Sequence, residues 1–252
     1  MKAMISFVGA GPGDPELITL KGRRLLDTAD VVIYAGSLVN PALLDGIKAE
    51  IFDSANMDLD QIIAIMKMTV DANKSVVRLH TGDTSFFSAI SEQIERLRLL
   101  NIPYEVIPGV SSAMAGAAIL GQELTIPEIS QTVIFTRMEG RTPVPALERL
   151  GSLASHRATM AIFLSVGMIE KVRDELLQGY PADTPVVIIQ KATWPDQKVL
   201  RGVLQEIVSL VKDAGVTKTA LIYVGESLRA SEVSLGKESK LYDKNFKHEY
   251  RK

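Results

Sequence analysis

Three stretches of the chain carry residue types that could do chemistry. The first is VGAGPGDPELITLKG, residues 8–22, with glycines at 9, 11 and 13 directly after a short apolar run. A strand followed by glycines suggests a phosphate cradle. The dinucleotide pattern needs Gly-x-Gly-x-x-Gly and then an acid some 20 residues on for the ribose. Gly9 and Gly11 fit, but the third glycine position is Asp14. Pro12 has no N–H to offer a phosphate, and Asp14 would place negative charge beside it. The next strand ends VVIYAGS, with no acid at its tip, and no Gly-Lys-Ser/Thr follows the loop. Two readings stay open: a loop shaped for close backbone approach to something other than a phosphate, or a tight strand-to-helix turn with Asp14 near the helix cap.

The second stretch is VVRLHTGDTSFFSAISEQ, residues 76–93. It reads as a buried strand, a Gly-Asp turn, and a helix capped by Thr84 or Ser85. Ligands of open α/β sheets sit beyond the carboxyl ends of strands. Gly82 permits close approach there and Asp83 offers a carboxylate, unless Asp83 only caps the helix. His80 is as well explained as a hydrogen-bonded structural histidine as by catalysis. The third stretch is VIPGVSSAMAGAAILG, residues 106–121. Ser111 and Ser112 open a helix of very small residues, suited to close packing against a sheet or against a ligand. His156 and His248 lack metal spacing, and the chain has no cysteine. No protein-bound metal, disulfide or thiolate nucleophile is expected.

Elements that would position these residues are visible as periodic patterns. β-Branched runs at 5–8, 31–34, 76–79 and 104–107 predict strands of a first half. Runs at 132–135, 160–164, 186–190 and 220–224 predict strands of a second. Apolar residues at helical spacing predict helices over 16–27, 59–73 and 86–100. Strands alternating with helices predict an α/β fold with largely parallel or mixed sheets. At 252 residues the chain can hold two such domains. The boundaries read as a first domain over 1–115, a linker over 116–130, a second domain over 131–240 and a basic, solvated tail over 241–252. Hydrophobic residues make up 46% and charged residues 23%, in the range of globular proteins. No segment approaches the length of a membrane helix and no signal-peptide pattern is read, so a cytoplasmic protein without a membrane partner is expected. A formal net charge of -2 provides no overall basic field for nucleic acid.

Together the three stretches resemble the tetrapyrrole methyltransferase family, which uses S-adenosylmethionine. VGAGPGDPELITLKG is similar to the family's opening motif, RLHTGDTSFFSA to its Gly-Asp motif and IPGVSSAMAGAA to its Pro-Gly motif. AIFLSVGMI (161–169), IIQKATWPDQ (188–197) and TALIYVGES (219–227) continue the resemblance over nearly the whole chain and in the same order. YAGSLVNPALL (34–44) and FTRMEGRTPVP (135–145) look like the members that act in cobalamin biosynthesis. That implies methyl transfer to C11 of precorrin-4, with or without cobalt in the macrocycle. Two departures stand out. Sirohaem-making relatives usually carry an aspartate where this chain has Ala35, which argues against a sirohaem-type activity. Many relatives have Gly-Asp-Pro where Gly82-Asp83-Thr84 stands here.

The resemblance implies two α/β domains with the cofactor in the cleft between them, and typically a homodimer. By motif position, Pro12, Gly82, Asp83 and Phe86 should line the cofactor site, with Ser111 and Ser112 near the methionine part of S-adenosylmethionine or its product S-adenosylhomocysteine. Leu164, Ala192 and Ala220, from the second domain, should enclose the adenosine. No general base is identified, since the sulfonium already activates the methyl group. A precorrin carries many carboxylates, so Arg137, Arg141 and Lys191 are the basic residues expected to pair with them, each with surface solvation as the alternative. A methyltransferase of the same fold with a different substrate, a non-catalytic tetrapyrrole carrier and, from another class, a nicotinamide-dependent oxidoreductase are the competing readings.

Overall fold

The computed structural model describes residues 3–36, 38–231, 239, 246–247 and 249–250. Ser37, His248 and most of the tail read over 241–252 lie outside the described residues. The chain divides into two compact units, residues 1–115 with 191–196, and residues 116–190 with 197–252. The segment 191–196, which the sequence reading places in the second domain, is thus part of the first unit. Residues 116–130, read as a linker, belong to the second.

In the first unit the order is β1 (Ile5–Gly9), α1 (Leu20–Thr28), β2 (Val31–Tyr34), β3 (Glu50–Asp53), α2 (Leu59–Asp71), β4 (Val76–His80), α3 (Ser91–Leu99) and β5 (Tyr104–Ile107). The sheet runs β3-β2-β4-β1-β5 and every pair is parallel. A parallel sheet needs both faces covered, and the pleat sorts the side chains accordingly. Ile5, Phe7, Val31, Ile33 and Val76 pack with Ile62, Ile63 and Met66 of α2 and Leu97 of α3. Val8, Val32, Val77 and Leu79 pack with Leu26 of α1. Each such buried aliphatic or aromatic side chain contributes about 1.5–3 kcal/mol of transfer free energy. Helix starts follow local chemistry. Thr19 accepts from the Gly22 N–H ahead of α1, and Asp58 and Gln61 form a capping box ahead of α2.

Helix limits differ from the spacing in two places. Over 16–27, Asp14 caps a short 3₁₀ turn at Pro15–Leu17 and Thr19 restarts the chain as α1. Over 86–100, the helix begins only at Ser91, and neither Thr84 nor Ser85 caps it. The preceding segment holds Phe87 and Ala89 at φ 54 and 49, left-handed conformations that an α-helix excludes. Strand β3 escapes the sequence reading because it is a short, largely exposed edge and shows no apolar alternation.

In the second unit the order is α4 (Ser112–Leu120, whose first turn belongs to the first unit), β6 (Val133–Arg137), α5 (Leu150–Ala154), β7 (Thr159–Phe163), α6 (Ile169–Leu176), β8 (Pro185–Gln190), β9 (Lys198–Val203), α7 (Ile207–Asp213) and β10 (Ala220–Val224). The sheet runs β6-β7-β10-β8-β9. β6 and β7 are parallel, and the other pairs are antiparallel. Helices α5, α6 and α7 cover one face through Leu150, Val172, Leu176, Ile207 and Val211. The small residues of α4 allow close packing. A Cβ at Gly116 would overlap the Tyr223 hydroxyl, which accepts from the Ala117 N–H. Strand β9, again an edge, has no fully buried residue and shows no apolar alternation.

Candidate functional site

In the first unit, the carboxyl ends of β1, β4 and β5 deliver the three stretches to one place. The Ala10 N–H donates to the His80 carbonyl at 2.7 Å. Gly11 and Gly82 exchange backbone bonds, Gly11 N–H to Gly82 O at 3.2 Å and Gly82 N–H to Gly11 O at 2.8 Å. Both sit at positive φ, 79 and 63, which glycine adopts without penalty. A Cβ on Gly9 would lie 2.6 Å from Gly109 Cα and 2.8 Å from the Gly82 carbonyl oxygen. Glycine is therefore required where three loops meet backbone to backbone.

This geometry excludes a phosphate cradle at the opening loop. The N–H groups of Ala10 and Gly11 are spent on carbonyls, and Pro12 has none. The Asp14 N–H donates to Thr193 Oγ1 at 2.9 Å. The Pro12 carbonyl accepts from Trp194 Nε1 at 3.0 Å, and Asn40 Nδ2 donates to the Gly13 carbonyl at 2.8 Å. A Cβ at Gly13 would overlap the Trp194 indole at Cδ1. Segment 191–196 is a strap on the opening loop, and Lys191 and Thr193 take positive φ within it.

Asp83 ties the second stretch to the third. Its Oδ1 accepts from the Ser85 N–H and its Oδ2 from the Gly109 N–H, each at 2.8 Å. Burial raises its pKa, but donation from Gly109, Ser85 and Thr84 more than offsets this and leaves it below the usual carboxylate range. Asp83 is thus a charged pin between two loops, not a helix cap. An ionised carboxylate has about four acceptor positions, and the N–H groups of Gly109, Ser85 and Thr84 with the Ser85 hydroxyl draw on them from its own loops. Ser88 Oγ donates to the Asp83 carbonyl at 3.0 Å and closes the turn. Phe86 in that turn is 37% exposed. Ser111 is buried, and its hydroxyl accepts from the Ala113 N–H at the start of α4. A Cβ on Gly82 would come no nearer than 3.9 Å to Ser111 Cα, Ser112 N or Val110 O. Pro12, Gly82, Asp83, Phe86, Ser111 and Ser112 are therefore on neighbouring loops of one sheet end. Ala192 and Lys191 join them through the strap. Lys191 pairs with Asp196, with its ammonium 5.9 Å from the Trp194 ring centroid.

In the second unit, the parallel strands β6 and β7 place Arg137 opposite Phe163, so the loops that follow are neighbours. Leu164 takes φ 55 and is 71% exposed. Arg141 is exposed, and among the described residues no side-chain hydrogen bond or ion pair is made by it. The Arg137 guanidinium donates to the carbonyls of Met138, Thr142 and Pro143 in its own loop. Ala220 is the half-buried first residue of β10 and pairs with Gln190. Sequence reasoning did not single out Gly109, Thr193, Trp194 and Ser165. Trp194, as the only tryptophan of the chain, was the one signal available. Among the described residues no cluster of His, Cys, Asp or Glu is placed to hold a metal ion. No helix among them is long and apolar enough to cross a membrane.

The family model for tetrapyrrole (corrin/porphyrin) methylases matches residues 4–208. The chain is 56% identical over 251 residues to the cobalt-precorrin-4 C(11)-methyltransferase of Methanocaldococcus jannaschii, covering 98% of this chain and 96% of that one. It is 48% identical over 248 residues to the precorrin-4 C(11)-methyltransferase of Pseudomonas aeruginosa, covering 98% of each. Among solved structures, a cobalamin biosynthetic enzyme, cobalt precorrin-4 methyltransferase, superposes with TM-score 0.87 at 45% identity over 89% of this chain and 95% of that one. Uroporphyrin-III C-methyltransferase from Thermus thermophilus, complexed with S-adenosylhomocysteine, superposes with TM-score 0.76 at 29% identity over 90% and 94%.

Proposed function

The chain belongs to the tetrapyrrole (corrin/porphyrin) methylase family, and we propose that it transfers a methyl group from S-adenosylmethionine to C11 of precorrin-4 or its cobalt complex, in cobalamin biosynthesis. The observation that carries this reading is 56% identity, over 98% of the chain, to a relative of that name. Cobalt, where present, belongs to the substrate. By resemblance, the protein works as a homodimer in the cytoplasm.

The first unit's residues fit the cofactor. Gly82 holds a left-handed backbone against the Ser111 and Ser112 loop, Asp83 fixes the turn beside it, and Phe86 is partly exposed. When bound, S-adenosylmethionine supplies a methyl group on a sulfonium already activated for transfer to carbon. Pro12, Gly82, Asp83, Phe86, Ser111, Ser112 and Ala192 would hold it, and Leu164 and Ala220 are the second unit's contributions. The protein's task is alignment and exclusion of water rather than acid–base work. The cross-tied glycine junction suits that task, because its backbone bonds leave the loops little freedom to move. Ala35 supplies no base, in keeping with this division of labour. Arg141 and Lys191 are proposed to pair with carboxylates of the macrocycle.

Calorimetric titration with S-adenosylhomocysteine, with NAD as the control, tests the cofactor assignment. Micromolar binding of the first and none of the second is expected. Binding of NAD alone would overturn the reading and return the opening loop to the dinucleotide class.

A further inference from the structure

The loop after β6, residues 138–143, is organised around one guanidinium. Arg137 Nη1 donates to Met138 O at 3.3 Å and Thr142 O at 3.2 Å, and Nη2 donates to Pro143 O at 2.9 Å. Both Nη1 hydrogens and one Nη2 hydrogen are thereby used, so three of the five guanidinium donors, the end-on fork among them, are committed to the loop. The loop is also seated on its neighbour. The Met138 N–H donates to Ser165 Oγ at 2.8 Å, and that hydroxyl donates to the Phe163 carbonyl at 2.6 Å. Ser165 is fully buried. Glu139 lies 4.0 Å from Arg149. Arg141, midway round the turn, is exposed and makes no ion pair among the described residues.

We propose that Arg137 is a positioning residue: it closes the 138–143 turn from inside and so presents Arg141, without itself pairing with the substrate. The two arginines, four residues apart and alike in sequence, have different tasks. The geometry assigns the inward one to three carbonyls whose convergence would otherwise depend on water, and the outward one to an anion. The task of Arg141 rests on the macrocycle reading above, whereas the clamp does not.

Limited trypsin digestion and turnover separate the two. Cleavage after Arg141, followed by mass spectrometry, should be about tenfold faster in Arg137→Gln, since local opening governs cleavage of a folded loop. Arg137→Lys, with a point charge in place of a fork, should fall between. With S-adenosylmethionine and cobalt-precorrin-4, Arg137→Gln should raise the macrocycle KM about tenfold, with kcat and S-adenosylhomocysteine affinity unchanged. The double variant Arg137→Gln/Arg141→Gln should then be no worse than Arg141→Gln alone, because one residue acts through the other. Unchanged cleavage, or losses that multiply in the double variant, would overturn the proposal. Absence of turnover in the unaltered protein would count against the macrocycle reading, and the digestion would still decide the clamp.

Discussion

Replacing His80 with leucine should make the protein markedly less sensitive to mild acid. His80 ends β4, is 7% exposed, and its Nε2 is buried without a partner among the described residues. Its ring lies 6.0 Å from that of Phe7. Burial, reinforced by the charge of Arg78, pushes its pKa down to about 3. The unfolded chain returns it to about 6.5. Between those values the unfolded state binds the proton and the folded state does not, so stability falls as pH drops below about 6.5 and continues to fall until about 3. Going from about pH 7 to about pH 5, the linkage integral for one such group is about 1.4 pK units, or ~2 kcal/mol. A folded value of 4 in place of 3 would barely change that figure, since both lie below the range tested. The assay is urea unfolding of both proteins at the two pH values and constant salt. His156 and His248 are retained in the variant, so their contributions cancel. The leucine also removes an orphaned nitrogen, whose burial without a partner costs about 1–3 kcal/mol. The expected result is that the stability gap moves by ~2 kcal/mol in favour of His80→Leu at the lower pH. Equal losses in the two proteins would refute the placement of a neutral, dry imidazole at the end of β4.

Two further substitutions address the loops. Asp83→Asn puts an amide hydrogen against one of the N–H donors of Ser85 and Gly109. It should weaken S-adenosylhomocysteine binding about tenfold by calorimetry, the lower end of the ~1.5–3 kcal/mol of a hydrogen bond to a charged group. Unchanged affinity in a folded variant would mean that Asp83 only pins its own turn. Gly13→Ala drives a methyl group into Trp194 and should destabilise by about 1–3 kcal/mol, as overpacking does. Its emission should shift to the red as the indole leaves the Pro12 carbonyl, a clean readout because the chain has a single tryptophan.

Apolar β-branched runs and turn chemistry are local, so the central strands β1, β2, β4, β7, β8 and β10, and the edge strand β5, could be read from the sequence within a residue or so. Both missed strands, β3 and β9, are edges, where one unpaired side relaxes the demand for apolar residues. The family likewise was legible, since three spaced motifs and their order survive in the linear string. The failure of the opening loop as a dinucleotide fingerprint was legible too, from Asp14 and Pro12 alone. What that loop does instead was not. Trp194 reaches Pro12 across 182 positions of sequence, and no pattern near either residue specifies the other. Asp83 could have capped a helix on its own turn, and only the arrival of Gly109 from the end of β5 made it a bridge between loops. Arg137 and Arg141 present the same side chain at a spacing of four. The sequence alone determined that both are cations after a strand. Which one turns inward depends on where the carbonyls of Met138, Thr142 and Pro143 converge, and convergence of backbone groups exists only once the chain has folded.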